Sequence, residues 1–199
     1  LWEEFWRLTE LSAETYALET ASHFDALSEL TAERLAPFTT EFVINRLAPI
    51  FFNTKAQLYL AGVGEDESRY QQVLDAWRPL YTSLQLGDDI TDWLTDLQAG
   101  QINVVAAGLI SHLYENRPET TADGLTLEGL AGYQLTAADY WRELEQTITG
   151  LNQQALDLLA DVEPCRLRDK LLIPHMKQMD SVWPTYHAKH RRLGELFGI

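Results

Sequence analysis

Between Glu67 and Gln98 a single proline, Pro79, and a single glycine, Gly87, interrupt a run in which apolar residues recur every third or fourth position. That recurrence predicts one long helix, and the rest of the chain is organised around it. Glu65, Asp66 and Glu67 favour its N-terminus through the helix dipole. Pro79 is expected to kink it one to two turns before an acidic stretch, and Gly100 to close it.

Within this helix Leu84, Leu86, Ile90, Trp93, Leu94 and Leu97 form a broad apolar flank. Asp88, Asp92 and Asp96 follow at four-residue intervals and stack over two turns, with Asp89 beside them. Like charges at that spacing repel by roughly 0.2–0.5 kcal/mol per pair. No Lys or Arg lies between Arg78 and Arg117 to offset them. Two readings follow. The stripe is a solvated face of an acidic protein, or it meets a cation from elsewhere. Mg²⁺ suits the second, since it takes a few carboxylates, keeps several waters and accepts phosphate oxygens.

The string Gln85-x-x-Asp88-Asp89-x-x-Asp92 in an otherwise apolar helix resembles the second aspartate-rich motif of the trans-prenyltransferases. The longer stretch from Leu84 through the Asp92-x-x-x-Asp96 pair to Gly100 also resembles the corresponding helix of squalene and phytoene synthases. Both groups share the class I isoprenoid synthase fold, and the resemblance covers about Val43 to Val105. It implies an all-α bundle, the C-terminal part of such a domain. It also implies Mg²⁺ held by Asp88, Asp89, Asp92 and Asp96, and an isoprenyl diphosphate substrate ionised at its allylic C–O bond. Asp88, Asp89 and Asp92 would be catalytic. Gln85, Arg46 and Lys55 would serve the diphosphate, and Phe51, Phe52, Trp77, Tyr81 or Trp93 would face a carbocation. The Lys-Thr pair of the trans-prenyltransferases is absent, because Ile44 and Asn45 stand at its distance from Gly62. Nothing upstream of Asp88 matches a first aspartate motif. The expectation is therefore an enzyme whose first motif lies on another segment, or a non-catalytic prenyl-binding or regulatory subunit on the same fold. A homodimer or a place in a heteromeric synthase fits either.

The 199 residues suit one domain with a real core. With 46% hydrophobic and 23% charged residues the composition is globular. A net charge of −15 disfavours nucleic acid and anionic membrane surfaces as partners. The lone Cys165 excludes an internal disulfide and makes a cytoplasmic location the default. The longest apolar run, Val104 to Ile110, is too short to span a bilayer. The chain begins at Leu1 in mid-pattern, as a fragment or a processed product would.

Elsewhere the pattern is helical throughout and no strand competes. Leu1 to about Ala36 reads as one helix or as two with a break near His23–Asp25, ended by Pro37. Thr39 or Thr40 caps a helix from Glu41 to about Gly62, kinked at Pro49, with glycine in the left-handed conformation at its end. Ile102 to Tyr114 is apolar, with Gly108 permitting close contact, and a polar loop follows from Arg117 to Gly124. A short helix spans Thr126 to Tyr133. Thr136 caps another that runs to about Val162 and breaks at Glu163-Pro164. Pro174 and Pro184 divide the last stretch, which carries a basic cluster of Arg166, Arg168, Lys170, Lys189, Arg191 and Arg192. Glu19 with His23, and His187 with His190, have metal-compatible spacing, although a surface pair is the commoner outcome for either. No Gly-rich phosphate loop and no Ser or Cys nucleophile setting is visible. Seven or eight helices around an apolar centre are expected.

Overall fold

A computed structural model of the chain describes residues 2–64, 67–163 and 165–197. Glu65, Asp66 and Pro164, to which the sequence assigns boundary roles, lie outside the described residues. The described residues contain helices and no strand. The helices are α1 (Trp2–Ala21), α2 (Ala32–Leu35), α3 (Thr40–Arg46), α4 (Ala48–Leu60), α5 (Ser68–Gln98), α6 (Val104–Asn116), α7 (Leu127–Tyr133), α8 (Ala138–Leu158) and α9 (Ile173–Phe197).

Helix α5 is the hub. It packs against α3, α4, α6, α7 and α8, most extensively against α8. One side of it, with Leu86, Ile90, Trp93 and Leu97, joins a core that includes Leu109, Ile110, Trp141, Ile148 and Trp183. Further along, Val73, Ala76 and Leu80 meet Ala155, Leu159 and Leu172 in a second cluster. A small third cluster seats Trp77 against Val43 and Leu47. Helix α1 packs mainly on α3 and α4. Its apolar residues recur with helical spacing, yet Trp2 and Trp6 are 74% and 63% exposed.

The helix ends follow the sequence closely where glycine sets them. Gly62 and Gly100 have φ of 74° and 75°. At each, two backbone bonds close the last turn, Val63 N–H to Leu58 O with Gly62 N–H to Tyr59 O, and Gln101 N–H to Asp96 O with Gly100 N–H to Leu97 O. Gly100 has a second reason to lack a side chain. A Cβ there would lie 2.5 Å from both His23 Cε1 and the Phe24 carbonyl oxygen, while Phe24 N–H donates to Gly100 O at 3.0 Å. Gly100→Ala is therefore expected to cost at least about 1–3 kcal/mol from backbone strain, with the clash added to it. Urea unfolding of the two proteins measures this, and equal midpoints would contradict it.

Several boundaries differ from the sequence reading. Pro49 does not kink one long helix. The chain breaks at Leu47, and Pro49 sits in the first turn of α4, where its missing N–H costs nothing. Pro184 lies inside a continuous helix, so packing holds α9 together across it, whereas α5 runs through Pro79 as the one helix its apolar recurrence predicts. Pro174 falls in the first turn of α9, directly after a π turn over Arg168–Leu172. Thr136 does not cap α8. Its hydroxyl donates to Tyr133 O at 3.0 Å, and Ala137 takes the cap position. The break near His23–Asp25 is present, followed by a 3₁₀ turn at Leu27–Glu29 and the short α2. Helix α8 ends at Leu158, a turn before the expected Val162.

Gly108 does permit the close contact its position implied. A Cβ there would lie 2.8 Å from Tyr140 Oη. That hydroxyl donates to Val105 O at 2.7 Å, and burial pushes its pKa upward. No helix among the described residues is long and apolar enough to cross a membrane.

Candidate functional site: the aspartate face of α5

The four aspartates divide into two pairs with different surroundings. Asp88 and Asp92, one turn apart, are exposed. Neither makes a hydrogen bond or ion pair with any described residue, so both keep their oxygens for solvent or a ligand. Asp89 and Asp96 are instead bound into the start of α6.

Asp89 is 5% exposed. Gln85 Nε2 donates to its Oδ1 at 2.8 Å, and the Val104 N–H donates to its Oδ2 at 3.1 Å. Val104 opens α6, so this carboxylate meets the positive end of a helix and satisfies an N–H that has no partner within it. Burial nevertheless dominates and lifts the Asp89 pKa from 3.8 to about 6, against the bonds from Gln85 and Val104 and the charge of Arg46. Half-buried Asp96 accepts from Asn103 Nδ2 at 2.8 Å.

Asn103 is the residue that ties the two helices, and the sequence reading missed it. Its Oδ1 caps α6 by accepting from Ala106 N–H at 2.8 Å, while its Nδ2 reaches Asp96 and the Asp89 carbonyl at 3.3 Å. An Asn three residues ahead of Ala106, at the start of an apolar run, is a signal that could have found it.

Gln85 thus serves Asp89 and is half-buried. Arg46, at the end of α3, pairs with Glu19 of α1 at 3.3 Å, and its charge also reaches Asp89. The Glu19 carboxylate therefore faces a guanidinium, and it lines with His23 and Gln101 a cleft of about 400 Å³. Lys55 lies half-buried on α4. Among the described residues no three His, Cys, Asp or Glu side chains converge on one point as metal ligands. His187 Nε2 is 2.6 Å from Glu145 Oε2. Within the basic cluster, Arg168 ends α8 by donating to Leu159 O and Ala160 O at 3.1 Å each, and it pairs with Glu163 and Asp169.

Of the candidate aromatics, Phe51, Trp77 and Tyr81 adjoin in a row: Phe51 meets Trp77 edge-on at 4.9 Å between ring centroids, and Trp77 stacks on Tyr81 at 5.0 Å. Phe52 meets Phe5 of α1 at 4.9 Å, and Trp93 is core. Trp77, Tyr81, Asp88 and Asp92 stand at i, i+4, i+11 and i+15 and so share one side of α5. Tyr81 is about 10 Å along the axis from Asp88. It lines a cavity of about 430 Å³ between α4, α5 and the segment after α8, whose walls include Ile50, Leu58, Val73 and Leu167, with Arg166 at one edge.

On the opposite side of α5 the fold assembles a polar cluster that no sequence pattern announces. Ser83 Oγ donates to Asn152 Oδ1 at 2.6 Å and lies 2.9 Å from His175 Nε2. The hydroxyl has one proton, so its oxygen accepts from His175 Nε2–H. The three residues come from α5, α8 and α9 and are at most 6% exposed. Ser83 has no solvent access, so this is a bridge between helices and not a nucleophile. Burial lowers the His175 pKa. Below the ordinary imidazole range the unfolded chain takes up a proton that folded His175 resists, so this residue's contribution to stability is lost as pH falls. His175→Gln keeps an uncharged donor for Ser83. The stability advantage of the native protein over H175Q is expected to shrink from pH 7 to pH 5 in chemical denaturation. A constant difference would contradict a neutral imidazole at this site.

Comparison of the chain with protein-family models, with curated proteins and with solved structures finds no match.

Proposed function

We propose that this protein engages an isoprenyl diphosphate through Mg²⁺, in the manner of the class I isoprenoid synthases its aspartate helix resembles. The observation that carries the reading is the placement of Asp88 and Asp92. Two unpaired, exposed carboxylates lie one turn apart on the side of α5 where Tyr81, about 10 Å along the axis, lines a cavity with aliphatic and polar walls. This donor set suits Mg²⁺, which is content with one or two carboxylates when waters and phosphate oxygens fill its other positions. When bound, the ion would neutralise charge on the leaving diphosphate. Asp88 and Asp92 would hold it. Tyr81 and the aliphatic residues around it would cover the hydrocarbon and keep water away, and the ring face would favour positive charge nearby.

A second reading has its own observation. Both oxygens of Asp89 accept hydrogen bonds and Asp96 is held by Asn103, so two of the four carboxylates of the stripe remain open. That favours binding without turnover, as a prenyl-binding or regulatory subunit would show. One experiment separates the two. Geranyl, farnesyl and geranylgeranyl diphosphates are titrated calorimetrically with and without Mg²⁺, and diphosphate release is followed in the same samples. Mg²⁺-dependent binding with release supports the enzyme, and binding without release supports the subunit. Absence of Mg²⁺-dependent binding overturns both.

A further inference from the structure

A second cavity, of about 360 Å³, lies where α1 crosses α3, α4 and α5. Its floor is aromatic and aliphatic, with Trp77, Phe51 and Leu11, and Asn45 adds an amide. Two arginines far apart in the sequence, Arg7 and Arg78, meet at it. In a chain of net charge −15, that convergence of cations on one hollow stands out from the field around it. Arg7 has no ion pair with any described residue. Arg78 reaches one carboxylate, Glu41, at 3.5 Å, and both partners of that contact are well exposed, so it competes weakly for the guanidinium. Trp77 is 1% exposed, so its ring is a fixed wall of the hollow.

We infer that this cavity is a metal-independent site for an amphipathic anion, with a carboxylate or phosphate-ester head between Arg7 and Arg78 and a short apolar tail against Trp77 and Phe51. Guanidinium groups suit that head because their planar donors match two oxygens at once. The volume lies in the range of small-molecule pockets, about 300–1,000 Å³, which combine apolar walls with a few placed polar groups. The site stands apart from the proposed Mg²⁺ position. Arg78 and Asp88 are ten residues apart on α5, about 15 Å along its axis, and no aspartate of the acidic stripe lines this cavity.

The test uses octanoate and octyl phosphate as probes, with EDTA present, read by calorimetry and by intrinsic tryptophan fluorescence. Octanol lacks the charge, and acetate and inorganic phosphate lack the tail. Saturable binding of either octyl anion is expected, with acetate, phosphate and octanol at least tenfold weaker. A preference between the two anions tells which head the arginines select. Arg7→Gln and Arg78→Gln each change an exposed residue, so folding is retained, and each is expected to weaken binding about tenfold or more. Asp88→Asn with Asp92→Asn should leave octanoate affinity unchanged, which separates this site from the Mg²⁺-dependent one. Octanol binding as well as octanoate, inorganic phosphate binding as well as octyl phosphate, or arginine variants with native affinity would each overturn the proposal.

Discussion

Replacing Asp88 and Asp92 together by asparagine is expected to weaken Mg²⁺-dependent binding of an isoprenyl diphosphate by more than about 100-fold while leaving stability unchanged or slightly raised. The size follows from what ligand carboxylates are worth. Even groups that merely orient metal ligands contribute about 10–100-fold in affinity, and here the two open carboxylates of the acidic stripe are removed. The stability side follows from their surroundings. Both residues are exposed, and neither makes a contact that asparagine would break. Removing two like charges from adjacent turns relieves repulsion of roughly 0.2–0.5 kcal/mol. Calorimetric titration with farnesyl diphosphate and Mg²⁺, beside thermal unfolding of both proteins, checks the two halves. Unaltered affinity in the double variant would mean that the exposed pair is a solvated face and no more.

Asp89→Asn is expected to act on stability instead, raising it by about 2–3 kcal/mol at pH 8. Folded Asp89 titrates near 6 instead of 3.8 because its carboxylate is buried. Between those values the folded protein holds a proton that the unfolded chain has released. The stability this group contributes is complete below 3.8 and is lost as pH rises through about 6. Each unit of difference corresponds to about 1.4 kcal/mol. Asparagine has no charge to bury. Its oxygen can still accept from Val104, and its amide can donate to Gln85 once that side chain turns its own amide over. The gain should therefore be largest at pH 8 and fade towards pH 4, as urea unfolding across that range would show. A variant less stable than the native protein at pH 8 would mean that the α6 dipole and Arg46 hold the ionised carboxylate more strongly than burial opposes it.

These different expectations for neighbouring residues show how far the sequence reaches. Asp88 and Asp89 belong to one motif and have the same chemistry. Successive residues on a helix point about 100° apart, and only the position of α6 decides that one of them is buried. The resemblance assigned all four aspartates to the metal, and gave Asp88 and Asp89 the same catalytic role. The fold leaves Asp88 and Asp92 open, ties Asp96 to Asn103, and turns Asp89 into the partner of the first α6 N–H. Arg46 follows the same logic, since its pairing with Glu19 depends on where α1 crosses α3.

What the sequence by itself determined is local. Helical recurrence of apolar residues, the left-handed glycines at Gly62 and Gly100, the short helix from Thr126 to Tyr133 and the central place of α5 are all written in neighbouring residues, because helix formation and helix ends depend on contacts a few positions apart. The tertiary structure alone decided the rest. It carried α9 unbroken past Pro184, where packing outweighs one lost hydrogen bond. It brought Ser83 to Asn152 and His175 across 69 and 92 residues, and it set Arg7 beside Arg78. Such meetings depend on how helices cross, and helix crossing is fixed by the fit of whole surfaces, which no short window of sequence contains.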